Sequence, residues 1–235
     1  MAIRMLDMRN GESENPSNRS AAGQPAPRRP RGSVRRPEIL ATAVELLAER
    51  GLWTLRVADV AKRAGISPAT VIYYFGTKNQ LFEQAISDAD ADFYARLWPE
   101  LEGIESAVER IACLIERSSR SEWILWLDMW AYSRRHPEML SAERGFHDRW
   151  CTTIADVVRY GQQRGEFGEA DPAGVALRFA SLTNGLAVHM VLESHDRESY
   201  IEMSIRSAAL ELGCDLDELR EAIARIRQGV PPGEA

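Results

Sequence analysis

The chain has 235 residues, 45% of them hydrophobic and 27% charged, with 29 Lys+Arg against 35 Asp+Glu and a formal net charge of −6. This is the composition of one or two globular domains. It excludes a membrane-spanning chain, because no apolar run approaches the roughly 18–20 residues needed to cross a bilayer. It also argues against a disulfide framework, because Cys113, Cys151 and Cys214 are odd in number, far apart and form no C-x-x-C pair. The charge is unevenly divided. Residues 1–80 hold 13 Lys+Arg against 7 Asp+Glu, a balance of +6, and the remainder holds 16 against 28, a balance of −12. A polyanionic partner is therefore expected for the first third only.

In chain order, "MAIRMLDMRNGESENPSNRS" has no apolar h-region and does not read as a secretory signal, so the cytoplasm is the expected location. Residues 1–34 carry too few large apolar groups to order themselves, and "PAPRRPRGSVRR" packs five arginines and three prolines into twelve residues. This segment reads as a disordered basic arm. From Pro37 onward the apolar spacing is helical throughout, and no alternating run suggests strands. The expected helices are 37–50, 57–64, 68–74, 78–97, 104–119, 122–136, 138–164, 172–193, 197–212 and 215–228. Pro68, Pro99, Pro137 and Pro172 serve as starts or stops, and residues 230–235 as a disordered tail. The expected fold is all-α: residues 35–80 form a three-helix domain, and residues 81–229 form a larger helical body.

The stretch "VADVAKRAGISPATVIYYFGTK", residues 57–78, has the features of a helix-turn-helix. Val57, Val60, Ala61 and Ala64 make one face of a two-turn helix apolar. Gly65 can end it in the left-handed conformation, Ile66 fills the corner, Ser67 caps the next helix and Pro68 opens it. Val71, Ile72 and Phe75 are expected on the buried face of that second helix, too short to be stable unless docked. Its outer residues suit double-stranded DNA. Ala69 and Thr70 are small enough to approach bases, and the hydroxyls of Tyr73 and Tyr74 suit phosphate oxygens. Thr77 and Gln80 form a capping box that opens the next helix, and Lys78 in its first turn fits a bound phosphate. A plain three-helix subdomain, with tyrosines covering its core, is the bland alternative.

The run from "PEILATAVELLAERG" through "VADVAKRAGISPATVIYYFGTKNQLF" resembles the N-terminal domain of the TetR/AcrR family of bacterial transcriptional regulators. The likeness covers about residues 37–82, and "DVAKRAGIS…YYFGTKxxLF" carries it. The resemblance implies an all-helical homodimer whose first three helices bind a palindromic operator, with a small-molecule effector releasing a repressor from DNA. Two departures stand out. Arg56 occupies the cap position where many members have Ser or Thr, and could touch phosphate. Ile72 stands where Tyr is frequent, with tyrosine at the next two positions, as in the BetI-like branch; Tyr73 is the expected substitute for the phosphate contact.

In the rear, Trp123, Trp126, Leu127 and Trp130 fall on one helical stripe beside Glu122 and Asp128. Rings near carboxylates can hold an organic cation, although tryptophans at helical spacing are more often core. Phe146, Trp150, Phe179, Asn184 and His189 are further candidates for a pocket wall. Small residues such as Gly174, Ala180, Ser181, Gly185, Ala208 and Ala209 suit close helix packing, and the resemblance implies a homodimer through helices 172–193 and 197–212. His189, Glu193 and His195 are spaced for a metal but are a weak set, and neither metal nor cofactor is expected. No enzyme motif is found, so a helical enzyme and a ligand-independent architectural DNA binder remain as alternative functions.

Overall fold

The computed structural model describes residues 36–119 and 123–229. The expected basic arm, the C-terminal tail and Glu122 lie outside the described residues. Among the described residues ten α-helices follow one another: α1 (Arg36–Thr54), α2 (Val57–Ala64), α3 (Pro68–Phe75), α4 (Lys78–Glu102), α5 (Ala107–Ser118), α6 (Trp123–Ser133), α7 (Leu140–Arg164), α8 (Pro172–Val191), α9 (Arg197–Leu212) and α10 (Leu216–Gln228). A 3₁₀ turn, Pro137–Met139, precedes α7, and no strand occurs among the described residues. The fold is all-α, as the periodicity implies.

Most boundaries obey local chemistry. Ser67, Thr77, Ser106, Asp171, Asp196 and Asp215 each cap a helix with a side-chain oxygen that accepts a backbone N–H, and α2, α7, α9 and α10 end at glycines in the left-handed conformation. Two expectations need correction. Pro99 does not stop a helix but lies inside α4, which runs on to Glu102. Gly51 does not end α1 cleanly but kinks it, with φ 72° and ψ 167°, a conformation close to glycine-only. The chain continues to Thr54, and Leu52 is buried just beyond the kink.

Two hydrophobic clusters organise the molecule. The head cluster holds Ile39, Ala43, Leu46, Leu47, Leu52 and Leu55 with Val60, Val71 and Phe75, and extends to Leu81, Phe82, Ala85 and Ile86 at the start of α4. It also takes Leu125, Met129 and Tyr132 of α6 and Met139 of the turn that follows. The body cluster surrounds α5, whose Ile111 to Glu116 are all buried, and draws on the second half of α4 and on α7 to α10. Helix α4 thus contributes to both, and Trp126 and Trp130 of α6 pack against both. All three cysteines are free thiols. Burial pushes Cys113 up to about 12 and Cys214 to about 11, so neither is a ready nucleophile.

Candidate DNA interface and effector site

Helix α3 has eight residues and two unlike faces. Val71 and Phe75 are buried in the head core, where the Arg36 guanidinium lies 5.1 Å from the Phe75 ring centre. The opposite face is left in water. Tyr73 is 84% exposed, Ile72 40% and Tyr74 39%. Ile72 is therefore not part of the buried face, contrary to expectation: at 100° per residue, Val71 and Phe75 already span the docked side. Tyr73 and Tyr74 meet edge-on at 5.5 Å. At the start of the helix, Ser67 Oγ accepts the Thr70 N–H at 3.1 Å and lies 2.9 Å from the Thr70 hydroxyl. The two side chains hold each other beside the exposed Ala69.

The entry to α2 is solved differently from a Ser or Thr cap. Arg56 offers no acceptor, and its own N–H donates to Asp59 Oδ2 at 3.0 Å. Asp59 also lies 3.3 Å from Arg50. This leaves the Arg56 guanidinium exposed, with no hydrogen-bond or ion-pair partner among the described residues. At α4, Thr77 Oγ1 accepts the Gln80 N–H at 3.1 Å, and Gln80 Oε1 accepts the Thr77 N–H at 3.0 Å, closing the capping box. Lys78 follows, with its ammonium 5.0 Å from the centre of Phe82 and 5.9 Å from that of Tyr132. Its pKa is lowered, first by burial and then by the nearby Arg56 charge. Among the described residues neither Arg56 nor Lys78 has an ion-pair partner, while Arg63 is held bidentately by Glu49 at 2.7 and 3.1 Å. Two mutually repelling cations at a helix N-terminus are stabilised by an anion shared between them.

Of the nine candidate effector residues, ring contacts join only Trp126 and Phe146 among the described residues. Trp123 belongs to the body core, with its indole N–H donating to the Ser118 carbonyl at 3.0 Å and its ring 6.3 Å from that of Tyr200. Trp126 packs edge-on against Phe146 at 5.6 Å, and Trp130 lies half-buried between the clusters. Asp128 is already committed: its Oδ2 accepts the Leu52 N–H at 2.8 Å, immediately after the α1 kink. A Cβ on Gly51 would fall on the same carboxylate, so the kink and Asp128 require each other. Trp150 meets Phe93 at 6.3 Å, and among the described residues no ring contact joins it to the α6 tryptophans. Phe179 is buried core, and Asn184 is half-buried on α8. His189 is exposed near the end of α8, 5.3 Å from the ring of His195. Among the described residues no ring contact joins Trp123, Trp126 and Trp130 to one another, although Trp126 and Trp130 pack against the cluster that holds Trp123. Among the described residues no group of three or more His, Cys, Asp or Glu could hold a metal.

Sequence reading missed three polar constellations. The Tyr132 hydroxyl donates to Asn79 Oδ1 at 2.7 Å and its ring stacks on His136 at 3.9 Å, fastening the start of α4 to the end of α6. Glu116, fully buried in α5, pairs with Arg197 and, at 3.2 Å, with Arg227. Asp90, buried in α4, pairs with Arg149 at 2.9 Å. Asp90 left a visible trace, because it stands in register with Phe82, Ile86 and Tyr94, where a carboxylate breaks an otherwise apolar stripe.

A kinked first helix, a docked pair of short helices and a helical body define a helix-turn-helix regulator. Residues 39–85 match the family described as bacterial regulatory proteins, tetR family, and residues 100–212 match BetI-type transcriptional repressor, C-terminal. The chain is 31% identical over 126 residues to the HTH-type transcriptional regulator BetI 1 of Chromohalobacter salexigens, an alignment spanning 50% of this chain and 61% of that relative. With BetI of Escherichia coli K12 it shares 25% over 168 residues, 68% of this chain and 84% of that one. A transcriptional regulator from Saccharomonospora viridis, solved in complex with choline, superposes with a TM-score of 0.64 at 29% identity, covering 82% of this chain and 95% of that one. A TetR regulator from Haloarcula marismortui, at 18% identity and TM-score 0.68 over 75% and 97%, shows the same fold. The chain belongs to the TetR family of transcriptional regulators, with a BetI-type C-terminal region. The family is one of regulators rather than enzymes.

Proposed function

We propose that the protein is a homodimeric repressor that binds a palindromic operator through α3 and is released by a small-molecule effector, with an organic cation the preferred class. The observation that carries the DNA reading is the outer face of α3, where Ile72, Tyr73 and Tyr74 are left in water by a helix whose other face is fully docked. Ala69 and Thr70 then face base edges, with Ser67 and Thr77 at the rim. Tyr73, Tyr74, Arg56 and Lys78 take phosphates. Such a regulator acts where the DNA is, which supports the cytoplasm. No helix among the described residues is long and apolar enough to cross a membrane.

A two-fold operator needs a two-fold protein. Leu177 of α8 is 54% exposed, and Met203 and Leu210 of α9 are 44% and 86% exposed, an apolar surface on the helix pair that suits a self-complementary interface. Effector binding in the body reaches the head through α4, which belongs to both cores, and through α6, which anchors the α1 kink by Asp128. A 100-fold loss of operator occupancy requires a coupling of about 2.7 kcal/mol, well inside the usual range. The choline bound by the Saccharomonospora neighbour supports the organic-cation class.

The test is DNA selection with the full chain, followed by salt titration of binding. Lys78→Ala should weaken operator binding and reduce the slope of log K against log salt by about 0.9, the value for one lost phosphate contact. A folded variant with unchanged slope would overturn the assignment. A thermal-shift screen with choline, betaine aldehyde and polyamines tests the effector class; a shift with a neutral apolar compound and none with any cation would reverse it.

A further inference from the structure

Asp90 is 5% exposed and lies on the inward stripe of α4, one turn from Ile86 of the head core and one turn from Tyr94 of the body core. Burial raises its pKa and the charge of Arg149 opposes the rise. Arg149 reaches in from α7, with Nη1 2.9 Å from Asp90 Oδ2 and Cζ 5.3 Å from the centre of the Tyr94 ring. Its side chain remains 50% exposed, whereas that of Asp90 is 6% exposed. Tyr94 stacks on Trp98 at 6.1 Å and meets Phe93 edge-on at 5.3 Å, and Phe93 in turn meets Trp150 at 6.3 Å. One buried carboxylate and the Tyr94 ring therefore hold one half-exposed positive charge, and Phe93, Trp98 and Trp150 extend the aromatic surface from Tyr94. These are the components of a site for an organic cation, and the chain fills it with its own guanidinium.

We propose that Arg149 is an internal stand-in, and that a singly charged alkylammonium effector binds by displacing it from Asp90 and the Tyr94 ring. The inference rests on the organic-cation reading above and adds to it a site and a competitor. The asymmetry of exposure gives the exchange its direction. Arg149 can return to water at small cost, but Asp90 cannot, so its carboxylate demands another cation when the arginine leaves. The single carboxylate selects one charge, and the rings favour an alkylated ammonium over a polyamine whose further charges would lack partners. If Arg149 occupies the box about nine-tenths of the time, it weakens apparent affinity about tenfold, and its removal should restore that factor.

Titration calorimetry on the full-length protein, with tetramethylammonium chloride against sodium chloride of equal strength, tests the exchange. Arg149→Ala should bind the cation about tenfold more tightly than the parent, Asp90→Asn should bind at least tenfold more weakly, and the neutral isostere of choline, 3,3-dimethylbutan-1-ol, should not compete. Equal or weaker binding by Arg149→Ala, unchanged binding by Asp90→Asn, or no binding to either the parent or a folded Arg149→Ala would overturn the proposal. Should Asp90→Asn fail to fold, the Arg149→Ala comparison decides alone. Release from the selected operator separates the two levels. Choline that releases parent and Asp90→Asn equally well refutes the box and keeps the cation reading. DNA binding that no cation changes refutes both.

Discussion

The core beneath α1 to α3 and the core around α5 treat charge in opposite ways. The three head helices bury aliphatic and aromatic side chains only, and Arg56, Lys62 and Tyr73 face outward. Among the described residues the body takes two carboxylates inside, Glu116 held by two arginines from other helices and Asp90 held by one. A head without buried charge behaves as a rigid apolar unit that presents cations to a polyanion. A body with buried carboxylates has an interior whose geometry depends on which cation neutralises them. The boundary between the two does not follow the sequence, because Leu125, Met129 and Tyr132 of α6 belong to the head core.

The largest expected effects test that boundary. Met129 is 1% exposed, and Met129→Ala should cost about 3 kcal/mol of stability through the cavity it leaves. Glu116→Ala should cost a similar amount, about 3 kcal/mol, because Arg197 and Arg227 lose the carboxylate they share. Hydrogen exchange should tell them apart: the first variant opens amides of α1 to α3, although its residue lies in the rear of the sequence, and the second opens α9 and α10. If both opened the same amides, the two cores would be one cooperative unit. Next in size is the link between them. Asp128→Ala leaves the Leu52 N–H without its acceptor at the α1 kink and should cost about 2 kcal/mol. It should also narrow the difference in operator affinity between effector-free and effector-bound protein. A stability loss with that difference unchanged would show that α4 alone carries the signal.

Much of the fold was legible because helix ends are encoded within a few residues. Ser67-Pro68, Thr77 with Gln80, and Gly65 each act on their immediate neighbours, and all three do so in the structure. The outward face of α3 was nearly legible for the same reason; only Ile72 was placed on the wrong side. The rear tryptophans were not. Periodicity sets Trp123, Trp126 and Trp130 on one side of a helix, but it cannot say that this helix lies between two cores. The structural role of Asp128 is equally hidden from local pattern, because its partner is a backbone N–H 76 residues away in sequence. Arg149 opposite Asp90 involves two helices separated by α5 and α6, a pairing that no local rule contains.

The smallest effects are the sharpest test of the outward face of α3, because they separate stability from binding. Ser67→Ala removes the cap on the Thr70 N–H and should cost about 1 kcal/mol in thermal unfolding. Tyr73→Phe removes a hydroxyl that is in water, so its stability should stay within about 0.5 kcal/mol of the parent. If that hydroxyl donates to a phosphate, operator affinity should fall about fivefold, the equivalent of about 1 kcal/mol for one hydrogen bond. The loss should be the same on selected and unrelated DNA, since a phosphate contact carries no sequence information. A loss confined to the selected operator would instead place Tyr73 against a base edge, and the phosphate role would then fall to Tyr74.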